Sequence, residues 1–212
     1  MKILEIKNLP LEGIKVIRFA RFLDARGYFT EALRKSQTQT DPQLNFLQSF
    51  DFPQCNESFS LPSTVRGLHL QWNPYVGKLV RTVFGRMVDI ILDVRKGSPT
   101  FGKAILYNMP AQAGKEFGEW IWLPPGFAHG NFFTEETIIQ YFCSGEYNPE
   151  CEAGLSVFAN DIDWSLTDPQ LKKELDQVIQ APPLMSDKDK AGLSITDWSS
   201  DKRSDNFIYG KI

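Results

Sequence analysis

Lys78-Leu79-Val80-Arg81-Thr82-Val83-Phe84-Gly85-Arg86-Met87-Val88-Asp89-Ile90-Ile91-Leu92-Asp93-Val94-Arg95 is the stretch that sets the fold class. Val88, Ile90, Leu92 and Val94 alternate with Asp89, Ile91, Asp93 and Arg95, the period of two that marks a strand with one face on a core. Residues 78–84 read as a second strand, and Gly85-Arg86 between them as the turn of a hairpin. Moving outward, residues 120–123, 131–133 and 137–142 are further short apolar strands, set apart by Pro, Gly or acidic turns. Many short strands at this spacing predict a mainly β sandwich or barrel. Helix is expected chiefly in the carboxyl-terminal third. There Asp168 reads as a cap, Pro169 falls in the first turn, and Leu171, Leu175, Val178 and Ile179 recur at helical spacing until Pro182-Pro183 stops them. This helix, near 168–180, reads as structural. The polar run 199–206 is expected to be a poorly ordered surface tail. With no internal repeat and no linker, residues 1–212 are expected to form one domain.

Composition narrows the function classes. A hydrophobic fraction of 42% is ordinary for a soluble globular chain of 212 residues, which is long enough to bury a sizeable core. With 23 Lys and Arg against 26 Asp and Glu, and no basic cluster, a nucleic-acid partner has little support, although local basic residues can still serve a small phosphate ligand. Met1-Lys2-Ile3-Leu4-Glu5 carries an acid early and no sustained apolar run. Neither a signal peptide nor a membrane span is therefore expected, which points to the cytoplasm. Cys55, Cys143 and Cys151 are odd in number and lack zinc-type spacing, in keeping with reduced thiols.

The chain has two histidines, His69 in Arg66-Gly67-Leu68-His69-Leu70-Gln71 and His129 in Pro124-Pro125-Gly126-Phe127-Ala128-His129-Gly130. Pro124-x-Gly126-x-x-His129 resembles the second half-motif of the cupin jelly rolls, in which a turn delivers a histidine into the barrel. A metal-binding cupin also carries a first half-motif with two histidines one residue apart and a glutamate downstream, where this chain has His69-Leu70-Gln71. A cupin-like jelly-roll barrel with a few short helices and no catalytic metal is therefore expected. Such an interior can still remove a proton next to a carbonyl, given a base, a donor for the enolate and an acid on the opposite face. His69 is the candidate base, Lys78 and His129 the oxyanion donors, and Tyr141 the acid. The plainer alternatives are a solvated strand lysine, a packed tyrosine and hydrogen-bonded packing histidines.

Longer motifs sharpen this. Gln54-Cys55-Asn56-Glu57-Ser58-Phe59-Ser60 followed by Val65-Arg66-Gly67-Leu68-His69-Leu70-Gln71 resembles the dTDP-4-dehydrorhamnose 3,5-epimerase family. Asp24-Ala25-Arg26-Gly27-Tyr28-Phe29-Thr30-Glu31, Gly77-Lys78-Leu79-Val80-Arg81, the run from Asp93 to Gly102, and Pro125-Gly126-Phe127-Ala128-His129-Gly130 occur in the family's order, so the resemblance spans about residues 14 to 190.

The resemblance implies that His69 is the base, oriented by Asp189, and that Tyr141 is the proton donor, with one residue fewer than usual between it and His129. It implies that Tyr147 stacks on the thymine ring and that Glu152 and Lys188 contact ligand. Arg26, Glu31, Gln54, Asn56 and Arg66 match nucleotide- and diphosphate-binding positions, and Asp89 matches a further active-site carboxylate. The implied substrate is a nucleotide-diphosphate keto sugar, the implied assembly a homodimer with Arg26 and Glu31 serving across the interface, and no cofactor is implied because the ketone is itself the electron sink. The connection between Trp164 and Ser186 is longer than the family's usual one. Alternatives are an epimerase of C3 only or C5 only, one acting on another nucleotide keto sugar such as a GDP-heptose, a non-catalytic sugar-nucleotide-binding jelly roll, and a metal-dependent cupin.

Overall fold

The computed structural model describes residues 1–212 as thirteen strands and four short α-helices. The strands are β1 (Ile3–Asn8), β2 (Lys15–Ala20), β3 (Phe22–Asp24), β4 (Gly27–Phe29), β5 (Gln54–Ser60), β6 (Val65–Gln71), β7 (Lys78–Phe84), β8 (Arg86–Asp93), β9 (Ala104–Pro110), β10 (Phe117–Leu123), β11 (Phe127–Phe133), β12 (Thr137–Cys143) and β13 (Glu152–Gly154). The helices are α1 (Lys35–Thr40), α2 (Pro169–Gln180), α3 (Asp187–Lys190) and α4 (Ile195–Ser200). Two antiparallel sheets, ordered β1-β2-β10-β7-β12-β5 and β13-β6-β11-β8-β9, face each other, while β3 and β4 form a separate hairpin. This is the mainly β jelly roll expected from the sequence.

The interior is divided. Ile121 and Leu123 of β10, Val80 of β7 and Ile139 of β12 meet Met87, Ile91, Ile105, Met109, Phe127 and Phe133 of the opposite sheet in one apolar cluster. Nearer β5 and β6 the inward positions turn polar: Gln54, Asn56 and Ser58 on β5 are less exposed than their neighbours Cys55, Glu57 and Phe59, the alternation of a strand with its polar face inward. A cavity opens on that side.

Two strand readings are corrected. Residues 78–84 do form β7, but β7 pairs with β10 and β12 whereas β8 pairs with β11 and β9, so Gly85 carries the chain from one sheet to the other and closes no hairpin. Gly85 has φ +75° and a Cβ there would lie 2.2 Å from the Glu136 carbonyl oxygen, so only glycine fits this corner. Nor does β8 have a single core face. Met87 and Ile91 point between the sheets, whereas Val88, Ile90 and Leu92 pack outward under a second layer holding Leu175, Val178, Ile195, Trp198 and Phe207.

That outer layer contains the expected helix, α2, capped by Asp168 accepting from the Gln170 and Leu171 amides at 2.8 and 3.1 Å. It also contains the carboxyl-terminal run, which is folded and not a loose tail. Residues 195–206 form α4 and a 3₁₀ turn, Trp198 and Phe207 are fully buried, and the Trp198 indole donates to the Val94 carbonyl at 3.1 Å. The polar residues there cap helix ends, while the two aromatics that anchor the segment lie just outside the polar run. On the far face of the six-stranded sheet, Ile17, Phe19, Leu79, Trp120 and Trp122 are covered by Leu44 and Leu47. No helix is long and apolar enough to cross a membrane.

Candidate active site

A cavity of about 750 Å³ opens between the sheets, lined by Ser58, Arg66, His69, Lys78, His129, Asn131, Ile139, Tyr141, Met185 and Asp189 among others. A second space of about 320 Å³ shares His69, Lys78 and Tyr141 with it and adds Gln54, Asn56, Gln71, Cys143, Tyr147 and Glu152. The two form one cleft with His69, Lys78 and Tyr141 at its waist.

A bulge in β6 explains how Arg66 and His69 reach the same cleft. Residues three apart on a regular strand face opposite sides. Here the β6–β11 register shifts, His129 opposing His69 but Asn131 opposing Arg66, and Gly67 sits at φ +100° with its Cβ position 2.6 Å from the His129 carbonyl oxygen. The extra residue swings Arg66 round, and its guanidinium is then held by the Ser60 hydroxyl at 2.9 Å and the Phe59 carbonyl at 3.0 Å.

His69 is partly exposed to the cavity, and its Nε2 lies 2.7 Å from Oδ1 of the buried Asp189. Burial alone would raise the Asp189 pKa, but the bond to His69, helped by the Gly67 backbone and the Ser186 hydroxyl, outweighs it and holds the carboxyl below its usual range. A carboxylate only accepts, so Nε2 carries the proton and Nδ1 is left with a lone pair, the tautomer a base requires. His129 faces His69 across the β6–β11 pair and gives Nε2 to Asp89 at 2.6 Å. Burial lowers the His129 pKa against the opposing pull of Asp89, so this imidazole is neutral at pH 7. Asp89 is fully buried behind it, is also contacted by Asn131 at 3.4 Å, and does not line the cleft. No three His, Cys, Asp or Glu side chains converge as a metal-ligand set.

From the opposite sheet come Lys78 on β7 and Tyr141 on β12, both pointing inward. Burial lowers the Lys78 pKa, with Cys143, Asp89 and Glu152 acting the other way. Burial raises that of Tyr141, so the phenol is fully protonated at neutral pH. Base and phenol thus stand on facing sheets, with the lysine on the strand next to the phenol's, the arrangement needed to take a proton from one side of a carbon and return one to the other.

At the far end, Tyr147 lies 57% exposed at the cleft mouth on a loop pinned from two strands. Gln54 accepts from the Tyr147 amide at 2.8 Å, while Gln71 donates to the Glu146 carbonyl at 2.9 Å and accepts from the Asn148 amide at 2.9 Å. Glu152 accepts from the Tyr147 hydroxyl at 2.7 Å and is ion-paired with Lys188.

Of the residues singled out from the sequence, Arg26 and Glu31 lie outside this cleft. Arg26 sits in the β3–β4 turn with its side chain 90% exposed, paired with Asp24 at 2.7 Å. Glu31 faces a separate surface hollow, where the Arg34 guanidinium and then the Met1 amino group pull its pKa down to about 2. The fold also adds lining residues that the sequence reading passed over: Ser58, Gln71, Asn131, Ile139, Cys143 and Met185. The polar alternation on β5 is a signal that would have found Ser58.

Residues 8–197 match the family described as dTDP-4-dehydrorhamnose 3,5-epimerase. A protein of that description from Sinorhizobium fredii is 39% identical over 153 residues, 70% of this chain and 73% of the relative. The solved Mycobacterium tuberculosis rmlC epimerase superposes with a TM-score of 0.77 at 29% identity, covering 98% of this chain and 95% of that one. A dTDP-6-deoxy-D-glucose-3,5-epimerase from Legionella pneumophila, solved with dTDP-4-keto-L-rhamnose bound, gives a TM-score of 0.74 at 28% identity, covering 91% and 93%. Fold and likeness together define an isomerase of the cupin-like jelly-roll class. The chain belongs to the dTDP-4-dehydrorhamnose 3,5-epimerase family.

Proposed function

We propose that this protein is a cofactor-independent epimerase of a dTDP-linked 4-keto-6-deoxy sugar, inverting carbons next to the C4 ketone through an enolate. The observation that carries the reading is the facing pair: His69 with Asp189 on one wall of the cleft and Tyr141 on the other. His69 Nδ1 takes the proton from the carbon beside the ketone, and the electron pair moves onto the C4 oxygen. Lys78 donates to that oxygen and supplies the stabilisation; the neutral His129, expected from the sequence as a second donor, has given its one N–H to Asp89 and has none left for the oxyanion. Tyr141 then protonates the opposite face, and solvent takes the proton from His69 and restores the one on Tyr141. Arg66 faces the diphosphate and Tyr147 the thymine ring, with Gln54, Asn56, Glu152 and Lys188 around them.

The reading includes a homodimer in the cytoplasm, where the three free thiols stay reduced. Its support is the β3–β4 hairpin, which leaves Phe22, Leu23, Tyr28 and Phe29 between 43% and 72% exposed beside Arg26. A partner covering that hairpin would receive Arg26 near its own cleft. The test of the reaction is incubation with dTDP-4-keto-6-deoxyglucose in deuterated water followed by NMR. Label at C3 and C5 is expected; label at one carbon only would narrow the activity to that carbon, and none at either would end the proposal.

A further inference from the structure

We infer that Glu152 is a positioning residue, tying the nucleotide end of the cleft to the proton-abstracting end through Lys188 and the one-turn helix that carries Asp189. The inference rests on the reading of His69 as the base.

The segment bearing α3 is a strap fixed at its two ends. At one end the Leu184 amide donates to the Ser63 carbonyl at 2.9 Å and the Val65 amide to the Leu184 carbonyl at 3.0 Å. At the other, the Leu193 amide donates to the Gly154 carbonyl at 3.0 Å and the Ser156 amide to the Leu193 carbonyl at 2.9 Å. Between these anchors α3 is four residues long, too short to hold its own shape or direction by helical hydrogen bonds. Its side-chain hydrogen bonds to the barrel run from Asp189 to His69 and the Gly67 backbone, and from Lys188 to Glu152. They come from adjacent residues, so moving one moves the other.

Glu152 stands where the two ends of the cleft meet. On β13 it opposes Gln71 of β6, two positions along from the pair Gly154–His69. Its Oε1 accepts from both the Lys188 ammonium and the Tyr147 hydroxyl. A continuous run of contacts therefore goes from the ring at the cleft mouth, through Glu152, Lys188 and Asp189, to the imidazole. Without Glu152, Lys188 is released and the Asp189 carboxylate, still bonded to His69 and the Gly67 backbone, loses the neighbouring tie that fixes the turn carrying it. An error of about 1 Å in the aim of a catalytic base costs as much as a hundredfold in rate.

A residue that only touches the nucleotide changes KM. One that acts through Asp189 also changes kcat at saturating substrate, and that difference is measurable. The experiment is steady-state epimerisation of dTDP-4-keto-6-deoxyglucose by the full chain as wild type, Glu152→Gln, Lys188→Met, Asp189→Asn, and the double variant Glu152→Gln with Asp189→Asn. Glu152→Gln and Lys188→Met should each lower kcat about tenfold or more. In the Asp189→Asn background, Glu152→Gln should lower kcat no further while still raising KM, because the route it acts through is already broken. A raised KM with unchanged kcat in Glu152→Gln and Lys188→Met would overturn the inference, as would multiplicative losses in the double variant. An Asp189→Asn enzyme of undiminished kcat would instead remove the reading of His69 and Asp189 as a unit, and the coupling with it.

Discussion

Both histidines give Nε2 to an aspartate, yet their surroundings send them to different work. His69 faces the cavity with its side chain one-third exposed, whereas His129 is buried and kept neutral. A histidine whose folded pKa lies below the ordinary 6.5 takes up fewer protons folded than unfolded in that window. Its contribution to stability is therefore present above about pH 6.5 and lost as the pH falls below it. Urea midpoints should accordingly drop between pH 7.5 and pH 5.5, and His129→Asn should flatten that dependence; an equal slope in the variant would contradict the buried neutral imidazole. At this scale the sequence was legible where residue types are scarce or chemically marked, as with His69, Lys78 and Tyr141. Asp189 was found only through the resemblance, since 120 positions separate it from His69 and nothing local announces the pair. Ile139 and Met185 carry no chemistry of their own, so only the fold could bring them to the cavity wall.

Among the elements, strands were easier to read than their partners. Alternation gives the existence of β7 and β8, but pairing is decided by Gly85, whose left-handed φ and blocked Cβ position turn the chain into the other sheet. The β6 bulge poses the same problem on a smaller scale, because its register shift appears only against β11. Gly67→Ala should destabilise the fold by about 1–3 kcal/mol, since the new Cβ meets backbone atoms of His129 and Gly130 and the residue stays at positive φ. It should also depress kcat by displacing Arg66 and His69. Gly97→Ala, also at positive φ but with nothing within 4 Å of its Cβ, tests the backbone contribution alone, and an equal cost at both positions would show that the contact with β11 is unimportant. The carboxyl-terminal segment was misread because polarity was averaged over residues 199–206 while Trp198 and Phe207 bracket them. Trp198→Ala should cost about 3–5 kcal/mol in a denaturation experiment, the toll of emptying a fully buried aromatic site, whereas a surface tail would give almost none.

For the molecule as a whole, the cleft built within one chain holds every residue proposed for proton transfer, while Arg26 and Glu31 stand outside it. The proposed homodimer accounts for that separation and for the exposed apolar hairpin together. Phe29→Asp should then convert a dimer seen in sedimentation analysis to monomer and lower kcat/KM, because Arg26 no longer reaches a neighbouring cleft; a wild-type monomer, or a variant that stays dimeric, would count against it. The central claim is the division of labour across the cleft, with the base on one sheet and the acid on the other. The most direct measurement is deuterium incorporation beside net epimerisation for His69→Ala and Tyr141→Phe. His69→Ala should lose both at every carbon while still binding dTDP, and Tyr141→Phe should keep part of the exchange but lose most of the inversion. Near-normal exchange in His69→Ala, or exchange and inversion equally preserved in Tyr141→Phe, would contradict it.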